Sequence, residues 1–313
     1  DAATLERIIA GTKARMGGDT LIFPRGNYRI AQDLIIPYGT PVLLEQGARF
    51  EILAGKSVII QGPLVVRGTS RNPVFVRSED EAAPFATFAV IGDGTTACDI
   101  RGLQLSGGSE SRLNGVYCSG MLALHNVRLT YMQDCVISTS HGEDLVNIKG
   151  GQVLLRSCVF EDGHADLVDL DRCHGVVTNC IFRSGREDSN GDGLDVSGAR
   201  VLVTNCTFAR MMDKGMSVGE ASQVLVRNSR FEGNRLALAA KDLSIAYVEG
   251  NVFEGNAIVF GAYRKKPIYG GARVMRYANE YTGNTKEQEV DELSAVVTAD
   301  VLDEKVLKAF PAP

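Results

Sequence analysis

The sequence predicts an all-β fold in which one short unit repeats as the coils of a parallel solenoid. Two observations carry this. A phenylalanine recurs at Phe160, Phe182, Phe208, Phe231 and Phe253, at spacings of 22, 26, 23 and 22 residues. Between these, an alternating six-residue segment recurs at 144–149, 166–171, 192–197, 214–219, 236–241 and 258–263. A repeat of this period marks a stacked architecture, because a single copy cannot bury its own apolar face. The same chemistry at the same point of each copy requires the copies to stack in register, so that each copy forms one coil.

The elements follow in order. Leu5, Ile8 and Ile9, with polar residues between them, predict a short amphipathic helix that covers the open end of the stack. Two strands around a Pro24-Arg25-Gly26 turn come next, and strands alternating with glycine turns continue to about residue 105. Leu105 and Leu129 are placed as early, degenerate members of the phenylalanine column, and Tyr281 as a late one. The acidic run 287–292 and a helix over 303–310 are assigned to a C-terminal cap. The expected limits are a capping helix over 1–16, a β-helix over 17–284 and a cap over 285–313.

Composition narrows the function. The 313 residues are 44% hydrophobic and 23% charged, which is ample for a packed core. A net charge of −5 disfavours nucleic acid and anionic membranes as partners. Since no run of eighteen apolar residues occurs, membrane insertion is not expected. Seven cysteines without a Cys-x-x-Cys spacing argue against a thiolate zinc site, and Cys158, Cys180 and Cys206 are expected in the core before the phenylalanines. The chain begins without methionine and is open to being a domain of a larger protein.

Over nearly its whole length the chain resembles right-handed parallel β-helix repeat proteins of the pectin-lyase-like fold. The opening Gly17-Gly18-Asp19-Thr20-Leu21-Ile22-Phe23-Pro24-Arg25-Gly26-Asn27-Tyr28 carries that resemblance. Three further stretches, 192–198, 213–220 and 263–267, are similar to bacterial surface β-helix modules of unsettled activity. The catalytic signatures of the fold's enzymes do not carry over. There is no Asn-Thr-Asp and no Arg-Ile-Lys of the polygalacturonases, only His174-Gly175. The arginine-based signature of pectate lyases is absent too. Fold therefore transfers and chemistry does not.

What remains is the outward face of the six-residue segment. Its third and fifth positions are apolar or small and point inward, so the alternate positions point out. In register, Asp169, Asp195, Ser217, Ala239 and Gly261 form one column, and Asp171, Ser197, Gly219, Lys241 and Tyr263 the next. Asp166, Asp192 and Lys214 precede them, with Asp144 and Asp213 beside the cluster. Carboxylates stacked at about 5 Å repel each other. A shared proton relieves this and creates an acid/base pair. So does a hard cation such as Ca²⁺, which takes oxygen ligands, and so do nearby side-chain cations, for which Lys149, Lys214, Lys241 and Arg172 are the candidates.

Asp169 and Asp195 are accordingly the first candidates for an acid/base pair or for metal ligands, supported by Asp171 and Asp192. Asp166, Lys214, Lys241, Tyr263 and Lys265 are candidates for substrate contact. His141, His164 and His174 lie on the same repeats, and Ser197 and Ser217 lack a clear histidine partner.

Two functions are compatible with this face. One is a secreted, surface or periplasmic protein that binds an extended acidic polysaccharide, with lyase, glycoside hydrolase or epimerase chemistry left open. The other is a non-catalytic β-helix scaffold or adhesion module of a larger surface assembly.

Overall fold

The computed structural model describes residues 2–186 and 188–311, which fall into two compact units, 1–152 with 157–159 and 153–156 with 160–313. Each is built of parallel coils with three strands per coil.

The first unit opens with the helix Ala2–Ile9. Thr20–Phe23 and Gly26–Ile30 flank the Pro-Arg-Gly turn. The three faces of its coils are parallel ladders. One runs Leu34–Ile36, Val58–Ile60, Phe88–Ile91 and Gly120–His125. Another passes through Val42–Glu45, Leu64–Arg67, Ala97–Arg101 and Leu129–Gln133. The third contains Gly26–Ile30, Ala48–Ile52, Val74–Ser78, Leu103–Ser106 and Val136–Ser138. The outward column Ile59, Ala89, Ala123 is apolar and is covered by Leu113 of an antiparallel hairpin.

One expected position changes here. Leu105 pairs with Ile137, whereas Leu129 lies on another face opposite Ala97. The copy of the Ser157-Cys158-Val159-Phe160 pattern is Asp134-Cys135-Val136-Ile137. Ile137 fills the inward site that phenylalanine takes later, so Ile137 and not Leu129 is that coil's member of the column.

In the second unit the phenylalanine column is a stack of rings. Centroids of Phe160, Phe182, Phe208, Phe231 and Phe253 are 5.2, 4.7, 4.7 and 4.9 Å apart, and Tyr281 stacks on Phe253 at 5.6 Å. That spacing is the distance between hydrogen-bonded strands. Cys180 and Cys206 are buried in the column beside it, their thiols donating to the Thr178 and Thr204 carbonyls. Asn179, Asn205 and Asn228 precede that column with φ of 54°, 54° and 49°. Asparagine recurs there because it tolerates the left-handed conformation that the corner requires.

A buried amide ladder holds another corner. Asn256 accepts from Asn234 N and Nδ2 at 3.0 and 2.9 Å and donates to the Phe231 carbonyl at 3.0 Å. Asn284 repeats these bonds one coil later. Parallel pairing continues past residue 284, through Lys286–Val290 and Ala295–Thr298, before the helix Glu304–Ala309. Leu302, Leu307 and Phe310 then cover the outward apolar residues Leu202, Leu225 and Tyr277.

Candidate functional site: an acidic face with two buried lysines

The site lies within the second unit, on the face built by Asp166–Thr178, Leu194–Ser197, Lys214–Gly219, Leu236–Lys241 and Ile258–Tyr263. Inward positions, from Val168 and Leu170 through Phe260 and Ala262, are fully buried. The period of two therefore turns the alternate residues outward. Asp169 pairs in register with Asp195, Asp195 with Ser217, Ser217 with Ala239, and Ala239 with Gly261. Alongside, Asp171 pairs with Ser197, Ser197 with Gly219, and Lys241 with Tyr263.

Among the described residues, the carboxylates that converge are Asp166, Asp192 and Asp195. One oxygen of each lies within 4.8 Å of the others. Asp169, the expected partner of Asp195, is its register neighbour but is not one of these three. Asp192 lies just before the strand Leu194–Ser197, where strand alternation does not fix a side chain's direction. Asp171 stands one column further along, beside Ser197.

Each converging carboxylate has a defined surrounding. Asp166 Oδ1 accepts the backbone N–H of Asp192 at 2.7 Å. Asp192 Oδ1 accepts the backbone N–H of Lys214 at 3.1 Å and its ammonium at 3.1 Å. The Lys214 ammonium also contacts Asp213, which Arg235 approaches at 3.4 Å from the other side. Lys241 reaches back two coils, and its Nζ lies 3.8 Å from Asp195 Oδ1. The Lys241 stem passes over Gly219, where a Cβ would sit 3.4 Å from Lys241 Cε, an ordinary contact distance. Tyr263 folds over Gly261, where a Cβ would meet its Cε1 at 3.3 Å. Lys265 lies apart in an exposed loop, its backbone N–H held by Asp242 Oδ1 at 2.7 Å.

These surroundings set the proton affinities. Burial pushes the Asp192 carboxyl up to about 6; Lys214 opposes this, and Asp195 and Asp213 reinforce it. Burial alone would lower Lys214, but the carboxylates of Asp192 and Asp213 outweigh it and hold the ammonium above its ordinary range. Burial also raises the Tyr263 phenol, with Lys214 opposing and Asp192, Asp213 and Asp195 adding to the rise.

The arrangement can do two things chemically. Asp166, Asp192 and Asp195 are the residues that could hold a divalent cation, with the ammoniums of Lys214 and Lys241 competing for the same oxygens. Alternatively, Asp192 can donate a proton near neutral pH beside a second carboxylate.

Asp213 and Arg235 enter the site more directly than the repeat alignment indicates. Their signal is position: each immediately precedes the first residue of its strand. The weaker histidine candidates are elsewhere. His174 is exposed and pairs in register with Arg200 on the next face, and His164 is exposed on the turn before Asp166.

Residues 144–285, a little under half of the chain, match the family model described as the right handed beta helix region. With the parallel coils above, this makes the fold a right-handed parallel β-helix. No curated protein matches the sequence.

Among solved structures, tailspike protein 3 of bacteriophage CBA120 is similar at 13% identity and a TM-score of 0.49, over 96% of this chain and 59% of the tailspike. The chain thus spans about three fifths of that protein's length. The alginate lyase of Paenibacillus sp. FPU-7 is similar at 13% identity and a TM-score of 0.38, over 84% of this chain and 99% of the lyase. The catalytic domain of a GH87 alpha-1,3-glucanase is similar at 10% identity and a TM-score of 0.41, over 89% of this chain and 63% of that domain. None of these likenesses assigns an activity. Among the described residues, no helix is long and apolar enough to cross a membrane.

Proposed function

We propose that this chain binds an extended glycan across the face carrying Asp166, Asp192, Asp195, Lys214 and Lys241, and that Asp192 and Asp195 act on it as an acid/base pair. The observation that carries the reading is the convergence of Asp192 with Asp195 inside 4.8 Å, with Asp192 almost fully buried and Asp195 partly open. Two carboxyl groups of a retaining glycosidase stand about 5–5.5 Å apart, whereas an inverting pair needs a wider gap for water. The separation here favours the retaining geometry. Asp192 is the proton donor in this reading and Asp195 the ionised partner. An extended glycan is a polymer of the cell surface or its surroundings, so the same proposal places the chain outside the cytoplasm.

The counter-charge is supplied by Lys214 and Lys241 in this account, and Ca²⁺ would have to displace an ammonium to bind. The test is incubation with soluble polysaccharides at pH 5.5, reading new reducing ends and absorbance of unsaturated products. Product from wild type, lost in Asp192→Asn and Asp195→Asn, supports the proposal. Absence of product with retained glycan binding removes catalysis and leaves a binding face.

One observation favours the scaffold reading. Asp166 and Asp192 each accept a backbone N–H from the following coil, which is a stapling role needing no ligand. Under that reading, Asn at either position lowers stability and alters no glycan interaction.

A further inference from the structure

The N-terminal end of the first unit is only partly closed. Leu5, Ile8 and Ile9, the apolar residues of the helix Ala2–Ile9, are each no more than half-buried. Between this helix and the first coil lies a solvent-open cavity of about 690 Å³. Ile8 of the helix and Phe23, Ile30, Leu34 and Ile35 of the coil line it, so its wall is mostly apolar. Small-molecule sites have this character: about 300–1,000 Å³, a mainly apolar wall and a few placed polar groups.

The charged groups of the wall differ in what they already hold. Arg29 pairs with Glu79 at 2.6 Å, and Asp33 Oδ1 accepts the backbone N–H of Ser57 at 2.9 Å. Arg7 is exposed beside Ile8 and donates to the neutral hydroxyl of Thr4 at 3.1 Å. Among the described residues it has no carboxylate partner. A guanidinium carries five N–H donors in a planar fork that matches a carboxylate, so most of its capacity at the cavity rim is unused. We propose that this cavity binds an anionic amphiphile, its apolar body against Ile8, Phe23, Leu34 and Ile35 and its anionic head on Arg7. A medium-chain fatty carboxylate, free in solution, is the simplest member of that class. A cationic head would meet the charge of Arg7, and the one carboxylate of the wall, Asp33, already accepts the Ser57 N–H. An occupant would complete the burial of the apolar face that the helix leaves half-open. The proposal does not depend on the glycan reading.

The test is calorimetric titration of sodium decanoate into wild type, Arg7→Gln and Ile8→Asn. Decyltrimethylammonium and decyl glucoside serve as cationic and neutral probes, each kept below its micelle concentration. Decanoate is expected to bind at one site per chain and about tenfold more tightly than either control. From octanoate to dodecanoate, affinity should rise about fourfold per added methylene, as apolar burial requires. Arg7→Gln should weaken decanoate about tenfold and leave decyl glucoside unchanged, whereas Ile8→Asn should weaken all three probes. Neither position is buried, so both variants should melt as wild type does. Equal or tighter binding of the cationic or neutral probe overturns the proposal. Decanoate binding unchanged in Arg7→Gln, or unchanged in Ile8→Asn, places it elsewhere and overturns the proposal too. Binding of no probe leaves the cavity to water and has the same consequence.

Discussion

Lys241 pairs with Asp195 across two coils, its ammonium 3.8 Å from Asp195 Oδ1 and its stem passing over Gly219. A side chain at Gly219 longer than a methyl would occupy that path. Gly219→Ala is expected to change stability by less than about 0.5 kcal/mol, since its Cβ would make an ordinary contact. Gly219→Val is expected to displace Lys241 and to cost about 1–3 kcal/mol by overpacking. Urea denaturation of the two variants checks this. Equal behaviour would show that Lys241 does not depend on the gap.

Asp192 makes stability depend on pH in a direction opposite to a solvent-exposed carboxylate paired with a cation. Its folded value, about 6, lies above the ordinary 3.8. The folded chain therefore holds a proton that the unfolded chain has released between those values. That contribution is complete below about pH 4 and is lost as pH rises through 6. Relative to Asp192→Asn, wild type should lose on the order of 3 kcal/mol between pH 4 and pH 7.5. Denaturant titrations at both pH values measure the difference, and a constant difference would contradict the burial argument.

Catalysis should follow the same group. If Asp192 donates a proton, kcat/KM falls as pH rises above about 6. Wild type assayed from pH 4.5 to 8 on any polymer it cleaves would show that limb. Activity that rises through the same range would assign Asp192 another role.

Removing a lysine should expose the latent cation site. With Lys214 present, Ca²⁺ and EDTA are expected to leave the melting temperature of wild type unchanged. Lys214→Met leaves Asp166, Asp192 and Asp195 without that ammonium, and millimolar Ca²⁺ should then raise its melting temperature. A Ca²⁺ shift already present in wild type would mean that the cation, not the lysine, neutralises the face.

The ring stack and the amide ladder should dominate the stability of the second unit. Phe208 is buried between two rings, each 4.7 Å away, so Phe208→Ala should cost about 3–5 kcal/mol. Asn256→Leu removes the oxygen that accepts from Asn234 N and Nδ2 and leaves that buried N–H unpaired. A loss of about 2–4 kcal/mol is expected, measured by chemical denaturation.

The Phe160–Phe253 stack and the Asp169–Asp195–Ser217 column were legible because both follow from strand periodicity applied to aligned copies. Leu129 was misplaced because Ile137 substitutes for phenylalanine in a degenerate coil, where volume persists and residue type does not. The convergence of Asp192 with Asp195 was harder to foresee. Asp192 sits at the strand entrance, where alternation no longer fixes side-chain direction. Lys241 was legible as a counter-cation for the cluster but its partner was not: a lysine stem spans more than one coil spacing, so register alone does not name Asp195.

The central claim is that Asp192 is a buried acid whose proton affinity is raised beside a second carboxylate. Its most direct test is a ¹³C NMR titration of the aspartate carboxyls in wild type, with Asp192→Asn to assign the resonance and Asp195→Asn to remove the neighbour. The expected midpoint for Asp192 is about 6, falling when Asp195 is replaced. A midpoint near 4, unchanged in Asp195→Asn, would contradict it and leave Asp192 as a staple between coils.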